Sequence, residues 1–257
     1  MCWDEDTMSE SQSTDSVSDG TMPSHPGEEH TRGAATRLNW LRAGVLGAND
    51  GIVSVAGTVL GVAGATTSTF AIATAGIASL CAGAFSMAGG EYVSVSTQRD
   101  TERAMIAKER HELETMPEAE LAELAGLYQQ RGLTPSTARL VAAELTAHDA
   151  LHAHAEVELG IDPHEYTSPW AAAVSSLLAF TTGALLPLVV ILLPLGVVGQ
   201  IATVVAVAVG LLLTGYVSAR LGGAAPGRAV LRNVGMGLLT MAFTYVIGHL
   251  FGAAVGV

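Results

Sequence analysis

Glu109 and Glu112 stand three residues apart, and so do Glu120 and Glu123. On a helix, residues at that spacing share a face. Two such pairs on neighbouring helices can converge into one carboxylate cluster, as they do in metal-holding helix bundles. The next segment adds His154 and Glu158 at a step of four. It also carries a stripe of Glu144, His148, His152 and Glu156, again at steps of four. Carboxylate and imidazole at this density suit a divalent transition metal. The competing reading of the Glu pairs is a solvated acidic face, which many charge-rich helices are.

A second group of acids poses a different question. Asp50 and Glu91 sit within apolar stretches, where an insertion cost of at least about 2.5–3.5 kcal/mol weighs against a charge. Asp50 lies eight residues after Arg42, and Glu91 eight before Arg99. If those arginines mark one membrane face, both acids stand roughly 12 Å along antiparallel helices from it. Met87, at i−4 from Glu91, shares its face. Two carboxylates and a thioether facing the bundle interior would suit a divalent cation that exchanges with protons. The bland alternative is that each acid hydrogen-bonds a neighbouring helix.

The elements that must position these groups follow from composition. Of 257 residues, 49% are hydrophobic and only 14% charged. Soluble proteins carry about 25% charged residues, so the chain reads as an all-α membrane protein. Five apolar segments, near 40–63, 70–95, 170–193, 197–219 and 229–252, have the length that a bilayer crossing needs. Residues 37–98 hold the first two spans and 167–257 the last three. Residues 1–36 are rich in Ser, Thr and acids and read as a disordered tail. Within it, Cys2, His25 and His30 are too scattered to suggest a site.

Between spans two and three, residues 99–166 hold fourteen of the 24 acids. "RDTERAMIAKERHELETM" continues the second span as helix until Pro117. "PEAELAELAGLYQQRG" and the stretch from Pro135 to Gly160 each open on Pro and close on Gly, the expected helix asymmetry. The expected product is a three-helix cytoplasmic metal-binding domain. Its orientation follows from the arginines and lysines, which favour cytoplasmic loops. Basic and uncharged connections alternate along the chain, so the N-terminus and residues 99–166 face inside and the C-terminus outside.

The same composition excludes other classes. A net charge of −12 argues against nucleic acid, which needs clustered cations. Two distant cysteines give neither a zinc spacing nor a disulfide framework. No nucleophile–base arrangement or cofactor fingerprint suggests an enzyme. Gly47-x-x-x-Gly51, Gly57-x-x-x-Gly61 and Gly89-Gly90 let helix backbones approach closely in a membrane.

"GANDGIVS" in the first span, "FSMAGGEYVSVSTQRDTE" in the second and "ELGID" after the third polar helix resemble the vacuolar iron transporter family. The likeness runs over about residues 37–255. It implies a homodimer of five-span subunits that moves ferrous iron out of the cytosol in exchange for protons; the glycine rows would place the first span at a helix–helix contact or at the subunit contact. It also implies metal ligation by Glu109, Glu112, Glu120, Glu123 and Glu158, and a translocation path through Asp50 and Met87; the depth match drawn from Arg42 and Arg99 adds Glu91 to that path. Plant-type members carry a Met pair where this chain has His154 and Ala155. Imidazole there would keep affinity for ferrous iron and also accept Mn, Co, Ni or Zn. The expected setting is a bacterial plasma membrane, with no covalent cofactor. A manganese exporter of the same fold and a membrane-anchored metal sensor or scaffold are the other two readings.

Overall fold

The computed structural model describes residues 34–163 and 167–255, with side chains from residue 44 onward except that of Val197. The acidic tail, with Cys2, His25 and His30, lies outside the described residues apart from its last three. All regular structure among the described residues is helical. In chain order these are α1 Ala34–Ala65, α2 Thr69–Thr115, α3 Pro117–Gln130, α4 Pro135–His154 with a π-helical turn Ala155–Leu159 fused to it, α5 Pro169–Ile191, α6 Val197–Leu221 and α7 Pro226–Val255.

Five of them are long and apolar enough to cross a membrane: α1 from Gly44, α2, α5, α6 from Val198, and α7. These correspond to the five apolar runs of the sequence. Helix α2 is unusual in having 47 residues. At 1.5 Å per residue it is about 70 Å long, more than twice the roughly 30 Å of bilayer hydrocarbon. Its second half, where the charges begin at Arg99, must therefore leave the apolar layer.

Local chemistry sets the helix ends. The Ser68 and Ser168 hydroxyls accept from the Ala71 and Ala171 amides at 3.3 and 3.4 Å and cap α2 and α5. Pro117, Pro135 and Pro169 open α3, α4 and α5, where a missing N–H costs nothing.

Helix α1 is the hub of the membrane bundle. One of its faces gives Val55, Val59 and Ala63 to a core shared with Ile72 and Ala84 of α2 and Phe180, Ala184 and Leu188 of α5. Another gives Ile52, Ala56 and Leu60 to a core with Val207, Leu211 and Met241 of α6 and α7. Its glycine rows serve different neighbours. A Cβ on Gly51 would collide with the Phe180 carbonyl, and one on Gly183 with the Ala48 carbonyl, so α1 and α5 touch backbone to backbone. Gly61 and Gly248 make the equivalent contact between α1 and α7. Gly51→Ala should therefore lower stability by about 1–3 kcal/mol, seen as a lower unfolding temperature in detergent. Gly44→Ala, which meets nothing within 4 Å, should leave it unchanged.

Two expectations need correction. Gly89 and Gly90 face open space and mediate no close helix contact among the described residues. Asp50 does not face the interior of the single chain. From Gly44 to Ala65, only Leu46 and Asp50 are exposed. The glycine rows and the two apolar cores occupy other sides of α1, leaving the acid on its exposed strip.

Candidate metal centre

Where α2 continues past its apolar half, it meets α3 and the end of α4. Leu124 and Ala125 of α3 and Ala142 and Ala153 of α4 form a small core there, with Leu121, Tyr128, Leu145 and Val157 against it. Above it three side chains meet. Glu109 comes from α2, Glu120 from the first turn of α3, and His154 from the end of α4. One ligating atom from each lies within 4.8 Å of the others.

The three are buried, with His154 fully so and Glu109 and Glu120 at 3% and 5% exposure. His154 Nδ1 stands 3.0 Å from Glu109 Oε1, 3.7 Å from Glu120 Oε2 and 3.9 Å from Glu158 Oε2. The shortest of these is within hydrogen-bond range but is not aligned as one. Both imidazole nitrogens and Glu109 Oε1 are buried without a hydrogen-bond partner. Leaving such groups unsatisfied is costly. One cation among them would satisfy an imidazole nitrogen and two carboxylates at once, and the N,O donor set fits a borderline divalent metal.

The electrostatics agree. Burial, then the neighbouring Glu158, Glu120, Glu112 and Glu123, push the Glu109 carboxyl up to about 7. Burial and then Glu123 also raise that of Glu120, while His154 opposes the rise. Without metal, Glu109 holds a proton in the folded chain at pH values where the unfolded chain has lost it. The contribution of Glu109 to stability should thus be full below about pH 4.5 and be lost as pH rises to about 7. The loss should be on the order of 3 kcal/mol at most. Glu109→Gln should flatten that slope in melts run with a chelator. Metal affinity should run the other way and rise through the same range, because the ligand must be deprotonated.

The remaining candidates are arranged around this trio. Glu158 is at its edge with a side chain 30% exposed. Glu112 is tied to Lys108 Nζ at 2.7 Å, and Glu123 is exposed. Both still bear on Glu109 through their charge. The stripe of Glu144, His148, His152 and Glu156 does not join the site. Glu144, His148 and Glu156 are exposed, and His152 Nδ1 lies 3.8 Å from Glu156. The reason is a break in α4: Asp149 has φ −157° and ψ 94°. Its carboxylate accepts from the His152 amide at 3.0 Å and caps a restarted helix. The i+4 register does not run through such a break.

The π-helical turn that follows was not legible from spacing. It ends at Gly160, whose φ of +65° favours glycine. Such turns frequently mark functional sites. Arg131, just past α3, donates from Nη2 to the Val157 carbonyl at 2.9 Å, and its guanidinium lies 5.8 Å from the Tyr128 ring centre. It pins the turn that sets Glu158 beside His154. Arg131→Gln should weaken metal binding about 10-fold, as loss of an outer support does. Arg131→Lys should recover part of that, by calorimetric titration.

In the membrane bundle, Met87 packs against the core around Phe180, and Glu91 is half-buried on α2.

Comparison with known proteins matches the chain to others. A family model described as the VIT family matches residues 41–249. The vacuolar iron transporter of Acanthamoeba castellanii is 45% identical over 90% of this chain and 85% of its own length. Vacuolar iron transporter homolog 1 of Oryza sativa subsp. japonica is 34% identical over 88% of this chain and 80% of its own. Homolog 2 of Arabidopsis thaliana is 32% identical over 88% and 91%. With four-fifths of its length matched to the family and relatives similar nearly end to end, the chain belongs to the VIT family.

Proposed function

We propose that this protein exports a divalent transition metal, ferrous iron first, in exchange for protons. The observation that carries the reading is the buried Glu109–Glu120–His154 group, with its unpartnered imidazole nitrogens, whose Glu109 is on the same helix as Met87 and Glu91. The names of the relatives as iron transporters support the choice of metal. Residues 99–166 and the N-terminus face the cytoplasm in this reading, because the basic residues cluster at that end of the spans.

Metal captured from the cytoplasm displaces the proton that Glu109 holds near neutral pH. It then passes to Asp50, Met87 and Glu91. Protons returning through the same carboxylates drive the export. The exposed Leu46–Asp50 strip of α1 suits the seam of a homodimer, in which two Asp50 carboxylates would flank one path. The setting that fits is a plasma membrane of bacterial type.

The test is ferrous iron flux into proteoliposomes with and without a proton gradient, with manganese as competitor. The reading predicts gradient-driven iron flux that manganese reduces. Binding without flux of either metal, from an intact protein, would favour a membrane-anchored sensor. Flux of manganese alone would make the protein a manganese exporter.

A further inference from the structure

A second polar site lies apart from the Glu109–Glu120–His154 centre, on the Asn49 side of α1. Near Gly47, α1 runs past the end of α6 and the start of α7, and a cavity of about 360 Å³ opens between them. Its walls are apolar at Val45 and Leu46 and polar at Asn49, Ser218, Arg232 and Asn233. Gly215 forms part of the lining, and the Asn233 Nδ2 lies 3.2 Å from where its Cβ would stand. Any side chain there would push the amide aside.

Two of these polar groups lack partners. Asn49 Oδ1 is buried with no donor. Arg232 makes no ion pair or hydrogen bond among the described residues. The other arginines of the turn differ. Arg220 is held by the Tyr216 hydroxyl at 3.1 Å and by its ring, and Arg228 does not line the cavity.

The chemistry narrows the occupant. A metal ion is the wrong guest beside a guanidinium. A wholly apolar guest would leave both the cation and the amide oxygen unsatisfied. A phosphodiester suits the guanidinium, which binds phosphate in a fork. A hydroxyl next to that phosphate suits the Asn49 acceptor. The cavity lies at the polar ends of two membrane spans, the level at which lipid headgroups sit. Basic pockets between spans on the positive side of a membrane are where anionic headgroups bind.

We propose that the cavity between α1, α6 and α7 seats the headgroup of an anionic phospholipid, with its phosphate on Arg232 and a headgroup hydroxyl on Asn49. The site is independent of the metal centre and does not rest on transport.

Native mass spectrometry of the delipidated full chain in neutral detergent tests it. The probes are phosphatidylglycerol, phosphatidylcholine, which lacks the hydroxyl donor, and glycerol phosphate as a soluble source of the same chemistry. Phosphatidylglycerol should bind the wild type and Arg228→Gln alike. Arg232→Gln should weaken it about five- to tenfold. Ser218→Phe, which fills the cavity without removing a charge, should do the same and serves if Arg232→Gln misfolds. Equal losses in Arg228→Gln and Arg232→Gln, no loss in Arg232→Gln and Ser218→Phe, or equal binding of phosphatidylcholine would each overturn the assignment. Displacement of the lipid by glycerol phosphate would overturn the lipid as occupant and leave a soluble-anion site.

Discussion

His154→Ala should lower the affinity of the purified protein for ferrous iron and manganese by at least roughly 10–100-fold, the range that even outer-shell losses reach at metal sites. His154 is the most buried member of the trio and faces three carboxylates at 3.0–3.9 Å. Its removal leaves Glu109 and Glu120 buried with no nitrogen ligand. Folding should survive, because the alanine also removes two unsatisfied nitrogens from the interior. His154→Met separates ligation from packing. A thioether fills similar space but is softer than imidazole, so manganese should lose more affinity than iron. Competition titrations of the two variants read this directly. Equal affinity in all three proteins would show that the imidazole is only a packed core residue.

Asp50→Asn should leave that affinity intact and bring metal flux down to the level of empty liposomes. Asp50 is the only charged side chain between Gly44 and Ala65, and it stands on the exposed strip of the otherwise most buried span. An acid in that layer calls for a function. Asparagine keeps the shape and the hydrogen bonding but carries neither proton nor metal charge. The two variants thus dissect capture from passage. His154→Ala weakens binding and slows flux through lower occupancy, whereas Asp50→Asn binds normally and does not transport. Flux that persists in Asp50→Asn would make the acid a structural hydrogen-bonding group.

The parts that were legible in the sequence share one property: they depend on local pattern. The five spans follow from unbroken apolar runs, and the length of α2 from helix formers that continue past Arg99. Glu109 and Glu120 could be proposed because each opens a pair at helical spacing. Spacing could not say which member of each pair turns inward. That choice is made by the packing of α3 and α4 on α2, which buries the first Glu of each pair and leaves Glu112 to Lys108 and Glu123 to solvent.

The stripe through Glu144 and His148, which spacing left open as a further part of the site, stays outside the trio for a related reason. Periodicity assumes one unbroken helix, and Asp149 ends one register and caps the next. An aspartate three residues before His152 was the available signal, because that is cap spacing. The π-helical turn had no such signal. It is held by Arg131 from another segment, a contact that no local pattern encodes. The outward position of Asp50 likewise depends on which faces of α1 the other spans occupy.

The most direct test of the central claim is X-ray absorption spectroscopy of the protein loaded with one equivalent of ferrous iron, beside His154→Ala loaded to the same level. Ligation by His154 predicts a shell of carboxylate oxygens with one imidazole nitrogen in the wild type, and loss of the imidazole signature in the variant. An all-oxygen shell that is the same in both proteins would contradict it, and would place the bound metal away from Glu109, Glu120 and His154.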